Sequence, residues 1–176
     1  MKDNRRVKMT KNCLKQALLE LLSANGKDKV NITDVCNAAD VNRSTFYAYY
    51  NGLDDLMQEV EDDFLAQIPL PLFQMTDDER CLTEVGKIFE YIKSNANVFN
   101  ILTRDEEFTQ KMTRYIFDQY NDQTLADDDS TGRYIIIYRI SGAIGLLKHW
   151  IVDGFPIPPA DFARFVMKIA TSTILQ

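Results

Sequence analysis

The chain is predicted to be all-α, with an N-terminal three-helix helix-turn-helix domain and a larger C-terminal helical domain. Three observations predict this. Apolar residues recur at spacings of three and four through most of the sequence. No segment alternates long enough to argue for a strand. Asn-Gly and Pro breaks cut the chain into helix-sized pieces.

Thr10 reads as the cap of a first helix reaching Ser23, with Leu14, Leu18, Leu21 and Leu22 on its inner face, stopped by Asn25-Gly26. Thr33 reads as the N-cap of a second helix, with Asp34 favourable in its first turn and Val35, Ala38 and Ala39 inward. Asp40 falls at a tight turn. Asn42 or Ser44 starts a third helix running to about Tyr50, where Asn51-Gly52 breaks it. A fourth helix starts at Leu53 or Asp54 and runs to about Ile68, before Pro69 and Pro71. Further helices are expected over 78–94, 96–102, 106–122, 131–153 and 159–175. Asp127-Asp128-Asp129 marks an exposed loop, and Pro159 suits the first turn of the last helix. The expected domains are a head over 1–52, a connecting helix over 53–68 and a regulatory and dimerisation body over 69–176.

The chain has 176 residues and a formal charge of −6. That charge is uneven: residues 1–50 carry nine basic and five acidic side chains, net +4, and the remainder carries 11 basic and 21 acidic ones, net −10. A basic head on an acidic body suits a protein touching phosphates with one end. With no secretory segment and no apolar run of roughly 18 residues, a cytoplasmic protein with no membrane partner is expected. Cys13, Cys36 and Cys81 form no CxxC pair and read as reduced thiols.

Residues 32–56, ITDVCNAADVNRSTFYAYYNGLDDL, carry the functional signal. A recognition helix needs small or hydrogen-bonding groups in its first turn, which points into the major groove. Asn42, Arg43, Ser44 and Thr45 supply them. Arg43 can pair with guanine or phosphate, and Ser44 and Thr45 can reach base edges. Thr33 can bring a helix N-terminus to a phosphate, and Tyr47 and Tyr49 can extend hydroxyls to the backbone. Phe46 and Tyr50 are expected to pack inward. A surface helical hairpin in an ordinary bundle satisfies the same pattern less specifically.

ITDVCNAADVNRSTFYAYYNGLDDLMQEV resembles the DNA-binding domain of TetR/AcrR-type transcriptional regulators in the order and spacing of its motif, over about residues 10–60. It departs from the pattern in four places. Asp40 stands where Gly is usual, Leu53 where a phosphate-binding Lys is usual, and Asn42 and Tyr50 where Ser and Phe are often found. Asp tolerates the left-handed turn better than most residues. Leu53 cannot bind a phosphate as that Lys would, and Lys8, Lys11 or Arg5-Arg6 could do so instead. The body is similar to a subgroup of TetR-type C-terminal domains, some of whose members regulate dihydroxyacetone kinase operons, through Gly145, Trp150, Ile151 and Gly154. The dihydroxyacetone assignment is not carried over.

The resemblance implies a homodimer on a palindromic double-stranded operator, more often a repressor than an activator, controlled by a small molecule or a partner. By position, helices 131–153 and 159–175 would form the dimer interface, with Ser141, Gly142, Ala143 and Gly145 allowing close approach. Candidate pocket residues are Phe89, Phe99, Phe117, Tyr138 and His149. No cofactor is expected. With a single histidine and no His/Cys cluster, no metal site is expected either. No phosphate loop, nucleophile elbow or triad argues for an enzyme. The alternative is a TetR-like interaction module or co-activator that does not itself bind DNA.

Overall fold

The computed structural model describes residues 2–26, 29–68, 79–124 and 130–171. Among them every regular element is helical, in the order α1 (Lys2–Asn25), α2 (Ile32–Ala38), α3 (Arg43–Tyr47), α4 (Leu53–Ala66), α5 (Glu79–Ser94), α6 (Ala96–Leu102), α7 (Glu106–Thr124), α8 (Ser130–Val152) and α9 (Pro159–Thr171). The expected loop at Asp127-Asp128-Asp129, the breaks at Pro69 and Pro71 and the end of the last helix after 171 lie outside the described residues. The chain divides into two compact units, Met1–Phe64 and Leu65–Gln176.

In the first unit, α1 packs on α2 and α2 on α3. The core is Leu14, Leu18, Val35, Phe46, Leu56 and Val60. Burying side chains of this size is worth about 1.5–3 kcal/mol each, which holds a five-residue helix such as α3 that could not persist alone. Two expectations need correcting. α1 starts at Lys2, and Thr10 lies inside it, its hydroxyl donating to the Arg6 carbonyl at 3.0 Å. Nothing in KDNRRVKM breaks a helix, so a capping residue type in its interior simply bonds back one turn. The inner face of α2 is Val35 and Cys36, with Ala38 exposed.

α4 alters the electrostatics of this unit. It carries Asp54, Asp55, Glu59, Glu61, Asp62 and Asp63 and no basic residue. The unit through residue 64 therefore has nine basic and eleven acidic side chains, net −2, and the basic head seen over 1–50 is not a property of the whole unit.

In the second unit, α5 and α9 make the most extensive helix pair, so close at Gly86 that an added Cβ would meet the Ala160 Cα at 3.9 Å. Trp150 organises the α8–α9 hairpin. Its indole stacks on Phe162 at 4.6 Å, meets Phe155 edge-on at 4.9 Å, and donates from Nε1 to the Ile157 carbonyl at 2.8 Å. Gly154 ends α8 in the left-handed region at φ 75°, and Phe155 follows at φ 62°, its N–H bonded to the Trp150 carbonyl. Lys148 reaches across to the Thr103 carbonyl at the end of α6, 2.7 Å away.

α8 is long and apolar on average, though it holds no unbroken apolar run of the length a bilayer needs. Thr131–Val152 qualifies by length and composition, although Arg133, Arg139 and Lys148 interrupt it. Its buried residues, Ile136, Ile140, Ile144, Leu147, Trp150 and Ile151, alternate with half-buried and exposed ones. Tyr134 and Tyr138 stand 71% and 61% exposed on α8, and Phe165 on α9 is 45% exposed.

Candidate nucleic-acid interface

α2 begins at Asn31, whose extended backbone (φ −127°, ψ 164°) lets its side-chain oxygen accept from the Asp34 N–H at 3.1 Å. The Asn31 amide also donates to the Asp34 carboxylate at 2.6 Å. The expected cap at Thr33 is thus displaced by two residues, leaving Thr33 exposed in the first turn of α2. Both are capping residue types, and only the backbone angle at Asn31 distinguishes them.

The turn runs through Ala39–Asn42. Ala39 donates to the Val35 carbonyl at 2.9 Å and Val41 to the Cys36 carbonyl at 2.9 Å, and Asp40 takes φ 53° between them. The left-handed turn expected of Asp40 is formed.

Asn42 occupies the cap position of α3 but makes no side-chain cap bond. Its side chain and those of Arg43 and Ser44 are exposed, Thr45 and Tyr49 are half-buried, and Tyr47 is 50% exposed. Thr33 stands on α2, which packs on α3. Among the described residues none of these side chains makes a hydrogen bond or an ion pair, so their donors and acceptors are open to a ligand. Cys36 lies behind Arg43. Burial pushes its thiol up, with the Arg43 charge opposing, so it is an inert core group rather than a reactive thiolate.

Phe46 anchors this display. It is fully buried, as expected, and meets Tyr47 edge-on at 5.6 Å and Tyr50 at 5.6 Å. The third helix ends at Tyr47 rather than near Tyr50, and turns carry the chain on to place Tyr50 in the core.

Tyr50 enters a network that no sequence pattern foretells. The Lys11 ammonium lies 2.7 Å from Glu59 and 5.0 Å from the centre of the Tyr50 ring. Lys15 bridges Glu59 at 3.3 Å and pairs with Asp63. Burial alone would raise the Glu59 carboxyl, but Lys11, the neighbouring Tyr50 hydroxyl and Lys15 outweigh it and hold it below its usual value. Burial opposes the Lys15 charge, yet Asp63 and Glu59 prevail and raise its value. The Tyr50 hydroxyl is buried, and burial followed by its interaction with the neighbouring Glu59 carboxylate pushes it well above the usual phenol value. Lys11 is therefore committed to α4 and cannot stand in for the lysine missing at Leu53. Arg5, Arg6 and Lys8 are exposed. No sequence signal pairs residues 48 apart such as Lys11 and Glu59.

The second unit holds an apolar cavity of about 80 Å³. Phe89 and Phe99 line it with Met112, Ile140, Leu147 and Val166. The other expected pocket residues do not. Tyr138 and His149 point outward on α8, and Phe117 is half-buried under the Arg133 guanidinium, 5.6 Å from its ring. Helical periodicity put aromatics on α7 and α8 but could not say which face meets α5 and α9. Among the described residues no three His, Cys, Asp or Glu side chains gather to hold a metal ion.

A two-helix DNA reader on a small helical head, followed by a second helical unit, defines the class of helix-turn-helix regulators. The family model described as a transcriptional regulator C-terminal region of TetR type matches residues 83–172. The chain belongs to the TetR family of DNA-binding transcriptional regulators, proteins that control transcription rather than catalyse a reaction. The dhaKLM operon transcriptional activator DhaS of Lactococcus lactis is 21% identical over 159 residues, covering 83% of this chain and 81% of that protein. A TetR regulator from Streptococcus agalactiae superposes with a TM-score of 0.71 at 20% identity, over 97% of this chain and 98% of the other. A structure of the dihydroxyacetone kinase operon activator DhaS gives 0.60 at 15% identity, over 92% and 93%. The resemblance carried by the body sequence thus falls in the subgroup that contains DhaS.

Proposed function

We propose that the protein is a cytoplasmic homodimer that reads a palindromic double-stranded operator with Arg43, Ser44, Thr45 and Asn42. Thr33, Tyr47 and Tyr49 hold the sugar-phosphate backbone, and occupancy of the C-terminal unit controls DNA affinity. The observation that carries this is the run Asn42–Thr45, with side chains unengaged and held outward by the buried Phe46. Dimerisation through α8 and α9 gives cover to Tyr134, Tyr138 and Phe165, which stand exposed in one subunit. An added Cβ at Gly142 or Gly145 would meet nothing within 4 Å, leaving room there for a partner helix.

A repressor was the expectation from the family, whereas the relative from L. lactis is named an activator. The operator's position decides the sign. A footprint over the promoter gives repression and one upstream of it gives activation.

The test is a mobility shift and footprint on the DNA upstream of the protein's own gene, at two salt concentrations. The expected result is two half-sites about one helical turn apart, with affinity falling steeply with salt. No specific footprint would favour the second reading, a TetR-like interaction module. That reading has observations of its own, since Leu53 lacks the usual ammonium, Lys11 is tied to Glu59, and α4 turns the head net acidic.

A further inference from the structure

We propose that Lys8 supplies the ammonium that holds a DNA phosphate at the start of α4, in place of the lysine missing at Leu53. The proposal rests on the DNA-binding reading above and names one residue of that interface. Ion pairs between α1 and α4 set the register. Lys11 and Lys15 both reach Glu59, and Lys15 also reaches Asp63. The two helices therefore run in the same direction, each α1 residue level with the α4 residue 44 to 48 positions later. Lys8 lies three residues before Lys11, its neighbour on the helix surface. The same offset brings Lys8 level with residues 52–56, the first turn of α4, which Leu53 opens.

Only residues 48–52 separate this end of α4 from the reader helix α3, so a phosphate bound there flanks the groove that α3 reads. The N-terminus of the 14-residue α4 offers N–H groups and the positive end of the helix dipole to an anion. Its first turn also carries Asp54, which is exposed, and Asp55, whose carboxylate already accepts from the Asn51 N–H and side-chain amide at 3.0 Å. A phosphate beside Asp54 needs a cation to offset that charge, and half-buried Leu53 has none. Lys8 is exposed, and among the described residues its ammonium makes no hydrogen bond or ion pair. Lys11 and Lys15 are held by Glu59 and Asp63. At ~100° per residue, Lys8, Lys11 and Lys15 fall within an arc of about 60° on α1, and Arg5 and Arg6 lie outside it.

The experiment is fluorescence anisotropy of the purified full chain, over a series of salt concentrations, with the DNA upstream of its own gene and with a random-sequence duplex. Each phosphate contact contributes ~0.9 to the slope of log affinity against log salt, and a dimer carries Lys8 twice. Lys8→Ala should make the slope on the upstream DNA shallower by roughly two and leave base preference unchanged. Lys8→Arg should keep the wild-type slope, and Leu53→Lys added to Lys8→Ala should restore it. Arg6→Ala removes the same charge from another side of α1 and should leave the slope nearly unchanged. A wild-type slope in Lys8→Ala would overturn the proposal. So would an equal loss in Arg6→Ala, which makes the effect one of diffuse charge. Lys8 and Arg6 are both exposed, so that comparison does not depend on the Leu53→Lys variant folding. A slope left unrestored by Leu53→Lys, in a variant of wild-type helix content, would overturn the substitution of one lysine for the other. Specific, salt-dependent binding that ignores Lys8→Ala would remove this inference alone. Wild type that binds both DNAs alike and without salt dependence would remove the DNA-binding reading and this inference with it.

Discussion

The Lys11 ammonium lies 2.7 Å from the Glu59 carboxylate, tying the first helix to the fourth across the face of Tyr50. Both partners are about 30% exposed, between the regimes of surface and buried pairs. Removing one should cost about 1 kcal/mol. Because the Glu59 carboxyl is held below its unfolded value, its contribution is fully present above the unfolded pKa of about 4.3 and is lost as pH falls through the lower folded value. Urea unfolding of wild type should therefore weaken below about pH 4.3 more steeply than that of Glu59→Gln. Parallel pH profiles would remove Glu59 from the acid response.

Arg43 should supply sequence discrimination and Tyr47 only grip. Arg43→Ala is expected to weaken operator binding by about 1–3 kcal/mol and to relax base preference at one position per half-site. Tyr47→Phe, which deletes one exposed hydroxyl, should weaken binding less and leave sequence choice unchanged. A competition footprint with single-base operator variants reads both. Equal binding of Arg43→Ala and wild type would strip Arg43 of its role.

Phe46 tests whether the recognition helix depends on the core behind it. The side chain is fully buried, so Phe46→Ala should cost about 3–5 kcal/mol and raise amide exchange in α2 and α3. The second unit should keep its exchange protection, because the chain divides at Phe64. Uniform deprotection of both units would show that they unfold as one.

At the turn, Asp40 holds φ 53°. Asp40→Ala should destabilise by about 1 kcal/mol, whereas Asp40→Gly should be neutral or stabilising, since glycine meets no Cβ penalty there. Chemical denaturation of the two variants decides the order, and Ala more stable than Gly would contradict the strain argument.

Tyr138 and Phe165 test the dimer. A charge at either exposed position, Tyr138→Glu or Phe165→Glu, should shift sedimentation toward monomer and abolish operator binding without loss of helix content. Dimers that persist in both variants would move the interface elsewhere.

The sequence by itself determined the helical class, the two-helix reader and most of the helix boundaries. These depend on neighbours within a turn or two. Ala96–Leu102 matches its expected span, and Pro159 starts α9 as its fixed φ demands. Phe46 and Tyr50 were legible as core because their spacing puts both on one side of the expected third helix, although that helix ends at Tyr47 and turns deliver Tyr50 to the core. The tertiary structure alone decided what depends on which surfaces meet. Asn31 rather than Thr33 caps α2 because only Asn31 has the extended backbone. Lys11 is spent on Glu59 because α4 folds back along α1. Phe89 and Phe99 reach the cavity while Tyr138 and His149 turn away, because the rotation of α8 about its axis is fixed by packing. Arg139 was indistinguishable in sequence from any solvated arginine. Its buried Nε exists only once α8 has closed on its neighbours, since burial is a property of what lies opposite a side chain and not of the residue itself.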